Sequence, residues 1–388
     1  MQKTTATLIA ILLVLCSCSE TPPAQTSSQE TGNTIIATFN DTTTLHFSIT
    51  AEGEAELTWD ATGGKNYNSP ERYRHKGKLV LPAEISHNGK SYKVTSIGDN
   101  ALFQQRSLES IYIPDGIRHI GKKALSGCDR LKELRLPSTL ESLGEEAISR
   151  CKLLTSIELP EGLKEIGKYA LYDCKMLKKT TIPEGITAVP EGMFDGCYSL
   201  KKVNLHDKVT AIGQHAFSRC ETLEEIVLPT AISEIGAEAF SAASSLRRIT
   251  LPDSLKFLPE ACFHDCKSLK SIDLKNVETI SHSAFAHCNT LATLNLPETL
   301  TAIGNSAFAG CINLKEVTIP VSVKVIANHA FNNCNNLKDI NLLRTKPIDI
   351  ESENALPTTC RINIPKGSLD SYQFTPKWKK FNYREVRY

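Results

Sequence analysis

The sequence predicts an α/β repeat solenoid, a right-handed superhelix of about eleven 23-residue coils closed by a β-rich N-terminal cap and a C-terminal cap. Two observations carry this. An apolar residue returns at Ile97, Ile120, Leu143, Ile166, Val189, Ile212, Ile235, Leu258, Ile280, Ile303 and Ile326, always 23 residues on except for one step of 22. Around it recurs one phrase, Ile120-Gly121-Lys122-Lys123-Ala124-Leu125-Ser126-Gly127-Cys128 followed by Leu131, Leu134, Leu136 and Pro137. A unit this small cannot bury its own apolar face, so units must stack on one another. Stacked coils lie about 4.8 Å apart, and eleven of them span roughly 50 Å.

Each part of the coil has a reason. Leu108, Ile111 and Ile113 before Pro114 suit a short strand with residues 111 and 113 turned inward and 112 outward. Proline ends it, having no amide proton for a ladder. Ile117 and Ile120 form a second apolar pair, Gly121 supplies a turn, and Ala124-Leu125 with Cys128 predicts a single helical or 3₁₀ turn. Where the glycine becomes Pro190 or Pro259, the alanine column changes to Met193 or Cys262, as if a different turn opened room beneath it. The 22-residue step removes one residue between Leu274 and Val277, in the turn after the strand, so loops absorb the change and core columns keep their phase.

The ends depart from the period. Lys3 and an apolar run from Leu8 to Leu15 make residues 1–17 an export signal, too short for a spanning helix. Leu15-Cys16-Ser17-Cys18 resembles the bacterial lipoprotein signal, with Cys18 as the lipidated residue and ordinary secretion as the rival reading. Residues 18–34, rich in Ser, Thr, Gln and Pro, are expected to be a flexible tether. Over 35–93, Thr44–Ile49 and Ala55–Trp59 alternate, Lys78–Pro82 reads as a strand and Asn88-Gly89 as a hairpin turn, which predicts the β-rich N-terminal cap. The solenoid proper covers 94–343, and 344–388, with Tyr372 and Trp378, is the expected C-terminal cap. Caps are needed because an end coil otherwise exposes a hydrophobic cross-section and an open strand edge.

Four phrases now make a resemblance specific: Ser96–Leu102, Ala302–Cys311, the entry Asn88–Val94 and the exit Ile364–Tyr372. Over roughly residues 40–388 the chain resembles the BspA-type leucine-rich repeat surface proteins of host-associated anaerobic bacteria. The resemblance implies a leucine-rich repeat fold and a secreted or lipid-anchored protein, in some members an adhesin for host matrix proteins or other bacteria. It implies no shared binding residues.

Forty-four Lys and Arg against forty-three Asp and Glu leave a net charge of +1, which argues against nucleic acid or an anionic membrane face as partner. Lys178-Lys179 and Lys201-Lys202 stack as a basic block, followed by Glu224-Glu225 and Arg247-Arg248, and are expected to be an ion-paired, solvated edge. Of thirteen cysteines, Cys128, Cys151, Cys174, Cys197, Cys220, Cys266, Cys288, Cys311 and Cys334 share one repeat position, interrupted by Ala243. Alanine there says the site wants something small and apolar, so a ladder of buried thiols is expected rather than disulfides. Cys262, His264, Cys266, His282, His287 and Cys288 offer zinc-type ligands, but their spacing matches no standard finger and no metal is expected. No cofactor is expected either. G-x-S-x-G, H-E-x-x-H and a phosphate-cradling glycine loop are all missing, and the ten histidines scatter without a recurring partner, so no enzyme is predicted.

What remains is a surface. Tyr112, Arg135, Glu158, Thr181, Asn204, Val227, Thr250, Asp273, Asn295, Thr318 and Asn341 form an outward mid-strand column, varied where the core is monotonous. Such a face on a repeat scaffold suits a protein or glycan macromolecule of the host or of neighbouring bacteria. The expected location is the outer membrane, exposed at the cell surface, with membrane contact through the N-terminal lipid only. A non-catalytic structural or accessory component of the outer envelope is the alternative. Because Cys18 follows Leu15-Cys16-Ser17, Cys18→Ala is expected to move the protein out of the membrane fraction and abolish labelling by radioactive fatty acid. A variant that stays membrane-bound and labelled refutes the anchor.

Overall fold

A computed structural model describes residues 24–31, 34–40, 43–58 and 75–388. The expected signal peptide, Cys18 and Trp59 lie outside the described residues. Over the rest the chain is a β-solenoid with the period read from the sequence. Two parallel ladders run along it. The first joins Leu57 to Ile97, then Ile120, Leu143 and Ile166, and resumes through Val189–Ile212–Ile235 and Leu258–Ile280–Ile303–Ile326–Ile350. The second carries the mid-strand positions. Across the 22-residue step Phe257 still faces Thr279 and Leu258 faces Ile280, because Lys275 takes the left-handed conformation (φ 52°) and closes a tighter turn, Val277 N–H to Leu274 carbonyl at 3.0 Å.

Both ladders continue into the caps. At the N-terminal end β1 (Gln25–Thr31), β2 (Thr34–Phe39), β3 (Thr43–Ala51) and β4 (Glu54–Thr58) form an antiparallel meander. Its last strand pairs parallel with the strand Lys90–Ile97, itself hairpinned to Glu84–His87 through Asn88 and Gly89, both at positive φ. The meander therefore occupies the edge the first coil would leave open. Gln25–Thr31 corrects the expected tether: it is a strand, despite a composition with no apolar alternation. Backbone pairing to β2 and the Gln25 amide, which donates to the Ser86 carbonyl (2.7 Å) and accepts from its N–H (2.8 Å), hold it instead of burial. At the far end Arg361–Pro365 and then Asn382–Val386 extend the second ladder, while Tyr372 and Trp378 are buried edge to face, 5.3 Å apart. Their polar atoms reach the Arg344 carbonyl (2.8 Å) and the Ile348 carbonyl (3.0 Å), as buried Tyr and Trp require.

The helical turn expected in each coil is a different structure, and the α in the expected fold class is corrected with it. Among the described residues the one α-helix is α1 (Leu369–Gln373), in the C-terminal cap. In the coils, alternate amides leave the segment: Lys123, Leu125 and Gly127 donate to Glu145, Ala147 and Ser149 of the next coil at 2.8–2.9 Å. The amides between them close local turns, Ala124 to Gly121 at 3.3 Å and Ser126 to Lys123 at 3.1 Å. Lys123 and Gly127 take positive φ (55° and 76°), and the same two positions do so in later coils, as at Glu146 and Arg150. A helix would turn every amide inward along its own axis and leave none for the neighbouring coil. The glycine column also has a cause the sequence reading missed. Gly121 does open a turn, but a Cβ on Gly144 would lie 2.7 Å from Lys122 N, so the column is small because one coil's backbone rests on the next.

The core is one continuous cluster. Phe194, Phe217, Phe240, Phe263, Phe285, Phe308 and Phe331 stack at 5.3–5.5 Å between ring centres, within 20° of parallel. Beside them the nine ladder cysteines are free and buried. Each thiol lies 3.1–3.4 Å from a carbonyl of the preceding coil, Cys220 Sγ from Phe194 O at 3.3 Å. Burial pushes the Cys174 thiol up to about 12, which keeps it protonated at neutral pH and able to donate. Ala243 is equally buried, without a thiol. Cys220→Ala should therefore fold and cost about 1 kcal/mol. Cys220→Asp should unfold the array by burying a charge, and Phe240→Ala should cost about 3–5 kcal/mol through the cavity left in the stack. Urea unfolding of the three variants checks this order, and a Cys220→Ala as destabilised as Phe240→Ala contradicts it.

Candidate binding face

Side chains alternate along a strand, so a residue between two buried ones must face out. The structure bears this out at Thr181, between Thr180 and Ile182, and at Val227, between Ile226 and Leu228 and itself 80 % exposed. The column is a ladder of paired residues: Tyr112 faces Arg135, Thr181 faces Asn204, and Val227, Thr250, Asp273, Asn295, Thr318 and Asn341 follow one another in register. Glu158 is exposed in the coil between Arg135 and Thr181, where the pairing is limited to Ser156 with Lys179. Outward residues of adjacent coils also touch. The Arg135 guanidinium sits 5.1 Å from the Tyr112 ring centre, and Asn204 Nδ2 and Asn341 Nδ2 donate to Thr181 Oγ1 (3.1 Å) and Thr318 Oγ1 (3.2 Å). Asp273 accepts from the Lys275 N–H (3.0 Å) and meets its ammonium (3.1 Å), which holds its carboxyl below the usual range.

Two parts of this face escaped the sequence reading. The column does not stop at the solenoid ends. Val80 pairs with Tyr112, and Asn363 and Arg384 follow Asn341. A second outward column lies two residues earlier, including Glu133, Lys179, Lys202, Glu225, Arg248, Glu316, Asp339 and Arg361. The same alternation that placed Arg135 places Glu133 outward, so this column was legible. The cap strands were not, because their pairing partners lack the 23-residue spacing.

The basic block departs from expectation. Arg247 does meet Glu224, at 3.8 Å, but Lys178, Lys179, Lys201 and Lys202 have no ion-pair partner among the described residues. Lys179 stands directly opposite Lys202. The cysteine–histidine cluster does not assemble. Cys262, Cys266 and Cys288 are core residues, His264 and His287 meet edge to face at 5.5 Å, and His282 bonds Ser283. Among the described residues no group of three or more His, Cys, Asp or Glu could hold a metal ion, and no helix is long and apolar enough to cross a membrane. A shallow depression of about 370 Å³, lined by His329, Asn332, Asn333, Asn354 and Thr358 among others, lies where the last coil loses its regular spacing.

A family model of the BspA type leucine rich repeat region matches residues 95–224 and 211–338. Among solved structures, a leucine-rich repeat protein from Bacteroides ovatus is 23 % identical, with a TM-score of 0.65, over 88 % of this chain and 98 % of that one. A leucine rich cell surface protein from Faecalibacterium prausnitzii is 25 % identical over 93 % and 94 %, with a TM-score of 0.54. The pneumococcal vaccine antigen PcpA is 18 % identical over 93 % and 99 %, with a TM-score of 0.51. No match to a curated relative was found.

At the end of the face Asp339 accepts from Arg361 at 2.7 and 3.0 Å and from Asn363 at 3.0 Å, and the guanidinium holds its carboxyl below the ordinary 3.8. A lowered folded value adds stability that is present above the unfolded value and lost as pH falls through the folded one. Asp339→Asn should therefore lower stability at neutral pH by roughly 0.5–1 kcal/mol, given the partial exposure of the pair. The difference from wild type should shrink as pH falls below the ordinary carboxyl value and vanish once the folded carboxyl is protonated. Unfolding midpoints across that range check it, and a pH-independent difference refutes the ion pair as its cause.

Proposed function

The chain belongs to the BspA-type leucine-rich repeat family, and from this we propose that it is a non-catalytic, lipid-anchored binding protein of the bacterial outer surface. It holds a host or bacterial macromolecule across its outward strand face. The observation that carries the reading is the outward column itself: from Val80 to Arg384 it recurs coil by coil, on core positions that repeat while the outward ones vary. Invariant core columns make a rigid support, and varied outward columns give a patterned area rather than a pocket. Tyr112 stacked with Arg135 is the pair best suited to anchor a protein partner, since Tyr and Arg dominate interface energetics. Cell-surface placement draws on the Faecalibacterium protein, which is described as a cell surface protein, and on the Leu15–Cys18 signal.

Two measurements test this. Protease shaving of intact cells should release the protein; a chain spared until the outer membrane is broken favours the structural or accessory reading. Arrays of matrix proteins and glycans should yield a ligand, against which Glu158→Ala and Asp273→Ala weaken binding by less than about 1 kcal/mol each and Tyr112→Ala or Arg135→Ala by about 2 kcal/mol. Surface plasmon resonance reads the ranking, and affinities unchanged by all four substitutions remove the site from this face.

A further inference from the structure

Cations and carboxylates on this solenoid pair one coil apart. Lys122 meets Glu145 at 2.9 Å, Lys132 meets Glu109 at 3.0 Å, and Lys164 and Lys168 meet Glu141 and Glu191 at 2.7 Å. The edge at Lys178, Lys179, Lys201 and Lys202 breaks that rule. The Lys201 N–H donates to the Lys178 carbonyl at 2.8 Å and Lys179 is in register with Lys202, so the two doublets are one ladder step apart. All four side chains are exposed. In the next coil Glu224 meets Arg247 at 3.8 Å, and Glu225, in register with Arg248, forms no ion pair with Lys202 among the described residues. At these two positions of four successive coils six cationic side chains stand against two carboxylates. The repeat does not require this. In the same two positions further along, Lys315-Glu316 and Lys338-Asp339 balance within each coil. Like charges set opposite one another oppose ladder formation, so the doublets work against the fold that carries them.

We propose that this edge binds an acidic polysaccharide, a linear glycan bearing carboxylate or sulfate groups, laid along the coil axis. Doublets recur at about 4.8 Å, and the stretch from Lys178 to Arg248 covers roughly 15 Å, enough for successive anionic sugars. The glycan is favoured over an acidic peptide by the residues present. The four central cations are lysines, compact charges without arginine's planar fork and depleted from protein interfaces. Their outward neighbours on the same strands, Thr181 and Asn204, offer hydroxyl and amide groups suited to sugar hydroxyls. Duplex nucleic acid, with a charge every ~1.7 Å, carries more phosphates over this stretch than it has cations to meet. The site lies on the same face as the proposed macromolecular ligand but needs neither Tyr112 nor Arg135.

The test uses the purified protein with heparin oligosaccharide and polygalacturonate as probes and neutral dextran, polyglutamate and duplex DNA as comparators, at about 50 and about 200 mM salt. Binding of both acidic glycans is expected, weakening with salt, with none to dextran. The quadruple variant Lys178→Gln, Lys179→Gln, Lys201→Gln, Lys202→Gln should bind them on the order of tenfold more weakly and with a shallower salt slope. Tyr112→Ala should bind them as wild type does, which separates this site from the proposed function. Should the quadruple variant unfold, the double variant Lys179→Gln, Lys202→Gln is read instead, with Lys315→Gln, Lys338→Gln as the control that leaves binding intact. Unchanged affinity in a folded lysine variant overturns the proposal. So does absence of glycan binding at low salt, or equally tight binding of polyglutamate or DNA.

Discussion

The structure depends on the backbone hydrogen bond that passes from one coil to the next. Lys123, Leu125 and Gly127 spend their amides on the following coil rather than on their own turn, and the same alternation recurs from coil to coil. Its consequences reach every column. Glycine stands at Gly121 and Gly144 because backbones in such contact leave no room for a Cβ, and two residues per coil adopt positive φ so that every second amide points along the axis. A local helix would satisfy the same amides at the cost of the stacking that buries the core.

Stacking at a fixed spacing also turns each column into a continuous material. Phenylalanines form one near-parallel ring stack, the thiols form a file of donors aimed at the carbonyls of the coil before, and oppositely charged surface residues meet one coil apart. A substitution is thus felt by two neighbours of the same kind, and the cost of an ill-suited residue is paid twice. This is why Ala243 is tolerated in the thiol file, where it removes a weak donor and leaves only a small gap. The caps obey the same constraint: β4 and the strand Asn382–Val386 complete ladders, so neither end coil is left with a bare edge over its core.

Function follows from what the scaffold leaves free. On the strand face the outward positions of each coil are flanked by buried residues and fall into two parallel columns, free to vary while the core stays fixed. That geometry favours extended partners over small molecules. It also allows chemically different stretches along one molecule, an aromatic–guanidinium pair at Tyr112 and Arg135 and a cationic edge at Lys178 to Arg248.

The sequence by itself determined the period, the phase of the core and the identity of the outward column, because a period repeated eleven times averages away local ambiguity; the structure adds Leu57 and Ile350 as further rungs at the two ends. Leu143, Phe240 and Cys220 could be placed in the core, and Thr181 and Val227 outside it, from spacing alone. Only the tertiary structure decided the rest. The segment after Gly121 carries the apolar spacing of a helical turn yet is none, since its amides are claimed by a coil 22 residues away. Gln25–Thr31 reads as a tether yet is a strand, since its stability comes from an edge supplied by β2 and not from its own side chains. The lysine doublets read as part of a balanced edge yet have no ion-pair partner among the described residues, since Glu224 meets Arg247 on its other side and Glu225 makes no ion pair with Lys202. In each case the deciding partner is remote in sequence, and local pattern carries no information about which of two neighbours a group will choose.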